Sequence, residues 1–439
     1  MARLVEMIDT GFWRGYSMLA ASACAASVTM QIDLAMIARS GGRVAGAFAV
    51  LMRMTLLDVA LTIALASVAG IAAAHATDRD HLGSVAGQLC VLVTAVGVAT
   101  SAFGFFAYPP LLAQLIGTEE AAPLIGQPIF WLVAGTPLRM LANAQGFVLH
   151  ALGQGSVAFR SKLAEAPSKF ILNFLLMDAL GFDLAGCMIA GFVIAAASSL
   201  WLWLRLRELG AWSFDWPERA FARWFLWTTF WESHRILSPQ AAMLLALALF
   251  SSTRFSGYGV DRLDAFAAGQ AFMLFVLSPM PVLTRFLALR LTAVAPQKQS
   301  PALIKLAQSG APIVSITAIS LFIGRDWIGD SLYHQHGSWW STFIAVLSLS
   351  LPIRYLGCVS RGAMLARGRF PELAMIDAFA QWLLTPLFLF LGLSADASWL
   401  AYLSLIIPEV ACVCLIPVAL CRSRHSASLS PLPSEGPIR

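Results

Sequence analysis

Long apolar stretches separated by short polar segments run along almost the whole chain. Each stretch is about 20 residues or longer, which is the length a helix needs to cross roughly 30 Å of hydrocarbon. Backbone polar groups inside a bilayer must be hydrogen-bonded within the segment, so such stretches are helical. The pattern predicts twelve membrane-spanning helices, at 13–38, 46–74, 83–108, 124–150, 160–180, 183–206, 231–253, 265–290, 306–325, 341–366, 371–393 and 398–421.

The second half of the sequence repeats a pattern of the first half. The sequence TPLRMLANAQGFVLHALGQG at 136–155 is similar to LPIRYLGCVSRGAMLARG at 351–368, and both copies carry an arginine two residues after a proline. Repeats this far apart are halves of a molecule and not the short units of a solenoid. We therefore predict an all-α integral membrane protein of about twelve transmembrane helices in two six-helix lobes. An even number of spans per half relates the lobes by a pseudo-two-fold axis along the membrane normal.

The segments between and after the two halves differ in composition from the spans. Aromatic and basic residues at 212–224 predict a connector that lies in the membrane interface. The last segment is rich in serine and proline and lacks periodicity, which is typical of disorder. The predicted division is a first lobe at 1–208, a cytoplasmic interfacial connector at 209–230, a second lobe at 231–421 and a disordered tail at 422–439.

Composition and charge agree with this membrane assignment. The chain is 59% hydrophobic and 12% charged, with a mean hydropathy of +0.75, whereas a soluble domain has about 25% charged residues. Lysine and arginine are more frequent in the loops that face the cytoplasm when both termini are placed inside, which is the usual bias. We predict a multi-pass protein of the inner (plasma) membrane with cytoplasmic termini. The net charge of +5 then needs no nucleic-acid partner, and a monomer in the lipid bilayer is expected.

The sequence shows no pattern typical of an enzyme active site. It has no Ser/His/Asp spacing, glycine-rich phosphate loop or catalytic pair of carboxylates. The seven cysteines lie inside or at the ends of apolar spans, where they are expected to be buried without disulfides. His334 and His336 lie in a predicted outer loop and favour a hydrated role over a metal site. We predict no catalytic residues, no metal and no cofactor, although an integral-membrane glycan-modifying transferase is the alternative class.

Seven charged residues inside the predicted spans stand out because their positions predict that they lie in hydrocarbon. Each costs at least about 2.5–3.5 kcal/mol near a helix centre, so such residues usually face the bundle interior or a water-filled cavity. Pairing with a neighbouring helix is the structural alternative for any one of them, whereas seven together favour a wet interior. They are Asp33, Arg53, Asp58, Arg139, Asp178, Arg354 and Asp377.

Helical spacing extends two of these charges into polar stripes. Arg139, Asn143 and His150 share one helix face, and Arg354, Cys358 and Arg361 repeat the pattern in the second half. We predict that these stripes line a substrate cavity, with Arg139, Asn143, Arg354 and Arg361 as its lining residues.

The two mid-membrane arginines allow two interpretations. The guanidinium group suits carboxylate or phosphate, so an anionic substrate is one possibility. Alternatively, Arg139 and Arg354 neutralise a carboxylate of Asp33, Asp178 or Asp377 within their own lobe.

A series of short motifs resembles the multidrug and toxic compound extrusion (MATE) transporters. QIDLAMIARSGG at 31–42, followed by AGAFA at 45–49, is similar to the first-helix signature of that family. The order of the later motifs, together with the two-fold repeat, carries the resemblance over nearly the whole chain. It implies a two-lobed exporter of twelve helices, within a superfamily that also contains flippases for lipid-linked oligosaccharides. The later motifs are GTEE at 117–120, GTP at 135–137, LGQG at 152–155 and ILN at 171–173.

The resemblance also implies roles for individual residues. Asp33 falls where the family has its coupling carboxylate in the first helix, and Asn173 matches the fifth-helix asparagine of the same pocket. Family members often have an acid one turn after that asparagine, where this chain has Met177. Asp178 follows on another face and is the third candidate for cation coupling.

We therefore expect a secondary active antiporter that works by alternating access. It would export a small organic molecule, such as a drug or secondary metabolite, in exchange for protons or sodium. The alternative within transport is a flippase for a lipid-linked, phosphate-bearing glycan precursor.

Overall fold

The computed structural model describes residues 10–39, 48, 50–76, 79–122, 124–252, 261–292, 294 and 296–422. These residues are almost entirely helical, and none of them forms a β-strand. The predicted disordered tail at 423–439 lies outside the described residues, as does most of the segment at 40–49 that contributes to the MATE resemblance.

The described residues of the first half form six helical segments. The first three are single helices: α1 at Thr10–Arg39, α2 at Leu56–His75 and α3 at Arg79–Ile116. A helical turn at Thr118–Ala121 leads to the fourth segment. The fourth to sixth segments consist of α4 at Gln127–Ala134 with α5 at Thr136–Ala151, α6 at Gly155–Asn173 with a π-helical turn at Phe174–Ala179, and α7 at Asp183–Glu208.

The second half forms six more segments in the described residues. Helix breaks and wider turns interrupt four of them, whereas α8 and α12 are continuous. The segments are α8 at Arg219–Ser251; α9 at Asp261–Leu277 with α10 at Pro279–Thr292; α11 at Pro296–Ile328 with a π-helical turn at Gly329–Tyr333; α12 at Ser338–Ala366; α13 at Phe370–Phe379, a π-helical turn at Ala380–Leu384 and α14 at Thr385–Ser394; and α15 at Ser398–Tyr402, a 3₁₀ turn at Leu403–Leu405 and α16 at Ile407–Arg422.

Eight helical stretches of the described chain are long and apolar enough to cross a membrane by themselves. The other four segments, at 10–39, 127–151, 155–179 and 219–251, carry many of the buried polar side chains described below. The predicted all-α membrane fold class is confirmed.

The two repeated prolines have different effects on their helices. Pro137 lies in the first turn of α5, so the fourth segment is interrupted at Gly135. Gly97 of α3 packs against this point, where an added Cβ would lie 2.6 Å from the Pro137 Cα. Pro352 lies inside the continuous helix α12. A proline can begin a helix without losing a hydrogen bond, but in a helix interior it removes one.

The described chain separates into two compact units, one comprising Arg14–Ser233 and the other Met1–Trp13 with His234–Arg439. In the first unit, Ile37, Leu51, Leu112 and Leu124 are fully buried in a single apolar cluster. In the second unit, aromatic rings form the corresponding core, which includes Phe250 and Phe266 stacked at 4.1 Å between ring centroids. Each unit therefore has its own hydrophobic core.

The segment between α7 and α8 packs against α3. The Ser213 amide donates to the Gly83 carbonyl at 3.1 Å, and the Glu218 amide donates to the Gln88 side chain at 3.1 Å. Phe214 and Trp216 point outward and are 63% and 75% exposed, as expected for side chains that anchor in an interface. Helix α8 begins at Arg219, within the predicted connector at 209–230.

Candidate functional site

Helices α1 and α6 bring two of the predicted coupling residues together. The Asn173 side-chain nitrogen donates to Asp33 Oδ1 at 2.8 Å, across 140 residues of sequence. Asn173 is fully buried, whereas the Asp33 side chain is 17% exposed. The carboxylate thus has a solvent-accessible part and a buried hydrogen-bond donor, which is an arrangement suited to binding and releasing a small cation.

A lysine that the sequence analysis did not select completes this cluster. Lys169 Nζ lies 3.5 Å from Asp33 Oδ1 and donates to the Cys187 carbonyl of α7 at 2.7 Å. Lys169 and Asn173 are four residues apart on α6 and therefore share one face. A lysine in the middle of the predicted span 160–180 was the available signal. We call Asp33, Lys169 and Asn173 the Asp33 cluster.

Asp178 is not brought to the Asp33 cluster. It lies exposed on the π-helical turn that follows α6, while the neighbouring Met177 is buried. A π-helical turn inserts an extra residue per turn and shifts the face on which later side chains lie. Its predicted role in coupling has no support from this geometry.

Arg139 forms an ion pair within the first unit. Its guanidinium lies 3.0 Å from Asp58 Oδ2 and also donates to the Thr136 hydroxyl and the Leu132 carbonyl. The Thr136 hydroxyl donates to the same carboxylate oxygen at 3.0 Å. Asp58 was among the charges predicted inside the membrane, but not among the three predicted partners of Arg139. The contacts favour the counter-ion interpretation.

Asn143 is turned toward its own helix. Its side-chain nitrogen donates to the Arg139 carbonyl at 2.8 Å, one turn back along α5. The Asn143 amide nitrogen therefore bonds to the backbone of α5, although the side chain was predicted to line a substrate cavity.

Replacing Arg139 with glutamine should lower the amount of folded protein. The change leaves the buried Asp58 carboxylate without its cation, and its Oδ1 already accepts no hydrogen bond from the described residues. Arg139 is 31% exposed, so we expect a loss of about 1–3 kcal/mol, the usual scale for a stranded buried polar group. The double variant R139Q/D58N should recover abundance in fluorescence-detected size-exclusion chromatography. Normal abundance of R139Q would contradict the counter-ion assignment.

Arg354 and Arg361 belong to a larger ion network in the second unit. Arg354 donates to Glu409 Oε1 at 3.1 Å and to the Leu405 carbonyl at 2.9 Å. Arg361 donates to Glu409 Oε2 at 2.9 Å and to Asp377 Oδ1 at 2.9 Å. The two arginines of the predicted stripe therefore share the Glu409 carboxylate.

Two further groups contact Asp377 in this network. Arg235 Nη1 of α8 lies 3.8 Å from Asp377 Oδ2, and the Cys412 thiol donates to Asp377 Oδ1 at 3.2 Å. The side chains of Arg235, Arg361, Asp377 and Glu409 are all at most 12% exposed. We call these residues, with Arg354, the Arg361 network; it holds four helices of the second unit together.

No group of three or more histidine, cysteine or acidic side chains in the described part of the chain could hold a metal ion. The cysteines at 24, 90, 187, 358, 412, 414 and 421 have free thiols.

Comparison with known proteins finds similar solved structures but no match by sequence. No protein-family model matches the chain, and no curated protein matches its sequence. The Vibrio cholerae MATE transporter VcmN in the bent form matches with a TM-score of 0.85 at 13% identity, covering 97% of this chain and 99% of that one. A MATE structure in the bent conformation matches with a TM-score of 0.83 at 15% identity, covering 95% and 97%. The chain has the MATE fold.

A third matching structure is described as differing in function. A transporter of the MOP superfamily from Pyrococcus furiosus, whose structure is described as having a binding pocket of reverse polarity, matches with a TM-score of 0.80 at 15% identity. It covers 95% of this chain and 96% of that one. The MATE fold confirms the resemblance given by the short sequence motifs, and at these identities it establishes the arrangement of the chain.

Proposed function

We propose that this chain is a secondary active antiporter of the MATE class in the inner (plasma) membrane. It would export a small organic molecule in exchange for protons or sodium, as a monomer with both termini in the cytoplasm. The solved structures that it matches are transporters, and we infer that this chain too is a carrier and not an enzyme.

The contact between Asp33 and Asn173 carries this proposal. An accessible carboxylate and a buried amide donor lie on two different helices of this fold, and we infer that a cation can occupy and leave this carboxylate. Binding at such a site can bias the arrangement of α1 and α6, because a ligand shifts an equilibrium by its difference in affinity for the two states. Coupling needs a site of this kind.

The ion pairs bear on the charge of the substrate. Arg139 and Arg354 each contact a carboxylate of their own unit, which leaves little uncompensated positive charge for an anion. We therefore favour a neutral or cationic organic substrate over an anionic one. Because the Pyrococcus furiosus transporter is described as having a binding pocket of reverse polarity, the transport experiment should also include an anionic substrate.

Transport by purified protein in liposomes tests this function. An imposed pH gradient or sodium gradient should drive accumulation of a fluorescent organic cation or a neutral dye, and an anionic dye serves as the comparison. A parallel assay should measure movement of a fluorescent lipid-linked phosphate between leaflets. Movement of that lipid without gradient-driven transport of any dye would favour the flippase and overturn the proposal.

A further inference from the structure

Lys169 places a positive charge beside Asp33, the carboxylate at which the proposed transporter would bind its coupling cation. Its side chain is 6% exposed, and its ammonium contacts Asp33 Oδ1 at 3.5 Å and the Cys187 carbonyl at 2.7 Å. Gly191 of α7 lies beside it, where an added Cβ would come within 3.1 Å of Nζ. The absence of a side chain at Gly191 thus leaves room for the ammonium between α6 and α7.

The charge of this lysine depends on Asp33 for compensation. An ammonium removed from water is strongly disfavoured unless a carboxylate balances it. Among the described residues, the groups that face Asp33 from the neighbouring helices are Lys169 and Asn173 of α6 and Cys187 of α7, and of these only Lys169 is cationic. Protonation of Asp33 removes the compensation, so the proton and the ammonium compete for one carboxylate.

Asn173 is able to serve both protonation states of Asp33. Its side-chain nitrogen donates to the carboxylate, while its buried Oδ1 has no hydrogen-bond partner in the described structure. An amide has donor and acceptor capacity, so the free oxygen is an acceptor for the ammonium or for a carboxylic acid. The Asp33 cluster therefore contains an amide oxygen that the described residues leave as a free acceptor.

We propose that Lys169 is an internal cation that occupies Asp33 whenever the proton leaves, and that this makes the proton, and not sodium, the coupling ion. The inference rests on the proposed antiport function and narrows it. A sodium ion at Asp33 would lie beside the ammonium and be repelled by it. Hard cations also require several oxygen ligands, and one of the Asp33 oxygens already accepts from Asn173 and contacts Lys169.

A labelling experiment tests the competition without measuring transport. A hydrophobic carbodiimide modifies protonated carboxyl groups, and mass spectrometry of the peptide that contains Asp33 gives its labelling at each pH. In K169M the half-labelling pH should rise by about 1–3 units, because a carboxylate that loses a neighbouring cation binds its proton more tightly. K169R should stay near the wild-type value, since it keeps the charge.

Lys162 provides the matched control on the same helix. It pairs with Glu165 at 2.9 Å and lies two turns from Lys169, so K162M should leave the labelling of Asp33 unchanged. If K169M does not give monodisperse protein, K169Q preserves a donor for the Cys187 carbonyl and removes the charge. An unchanged half-labelling pH in a folded neutral variant would overturn the proposal.

Sodium supplies the second readout. In the wild-type protein, sodium at saturating concentration should not protect Asp33 from the carbodiimide, whereas K169M or K169Q opens the site and should show protection. Sodium protection of the wild-type protein would also overturn the proposal. If the labelling results hold but no gradient drives transport in liposomes, the antiport function fails while the competition at Asp33 stands.

Discussion

Replacing Arg361 with glutamine is expected to remove most of the folded protein from the membrane. Arg361 contacts both Asp377 and Glu409, and all three side chains are at most 11% exposed. Its loss leaves two buried carboxylates to share the remaining cations of the Arg361 network. Removing one partner of a buried ion pair costs about 3–5 kcal/mol, a large part of the net stability of a typical domain. Fluorescence-detected size-exclusion chromatography of detergent extracts measures the loss.

A second substitution that restores the charge balance of the Arg361 network should rescue the folding of R361Q. R361Q/D377N removes one charge of each sign, so it should recover much of the monodisperse peak. The control is R205Q, because the Arg205–Glu208 pair is 45% and 60% exposed and pairs of this kind contribute about 0–1 kcal/mol. Equal abundance of R361Q and R205Q would show that the Arg361 network is not needed for folding.

The hydrophobic pattern was sufficient to predict the helices but not their exact ends. Helix α8 begins at Arg219 because the segment before it is held on α3 by Ser213 and Glu218. Such a contact depends on a helix more than a hundred residues away in sequence. The same limit applies to Pro137, whose helix break is matched by the absence of a side chain at Gly97.

Periodicity identified charged faces but not the partners of those charges. The counter-ion interpretation paired Arg139 with Asp33, Asp178 or Asp377, whereas its partner is Asp58. Spacing along a helix fixes which residues share a face, and which helix lies opposite that face is a property of the three-dimensional packing. The partner of Arg354 is Glu409, an acid in the predicted span 398–421 that was not selected as an intramembrane charge.

The Asp33 cluster shows what each kind of sequence signal could give. Family resemblance found Asp33 and Asn173, which the structure places in contact. Lys169 lies just before the ILN motif at 171–173, and it was not selected although the predicted span 160–180 carries several charges. A search for every charge inside a predicted span, however apolar the span, would have found both Lys169 and Glu409.

Replacing Asp33 with asparagine should abolish gradient-driven transport. The change keeps the size of the side chain and its contact with Asn173 but removes the group that exchanges the cation. N173A should weaken coupling less, since it removes a hydrogen bond and leaves the carboxylate. Accumulation of dye in liposomes under an imposed pH gradient gives the measurement, and D33N should reach only the level of protein-free liposomes.

Lys169 makes a second variant necessary for a clean result. D33N leaves the buried ammonium without a carboxylate, which should cost about 1–3 kcal/mol and lower the yield of the single variant. D33N/K169M removes both charges, so no uncompensated ammonium is left and abundance should recover. Transport should stay absent, because the double variant still lacks the Asp33 carboxylate. The exposed Asp264 offers the control D264N, which should transport normally. Undiminished transport by D33N/K169M under the same imposed pH gradient would exclude Asp33 as the coupling residue.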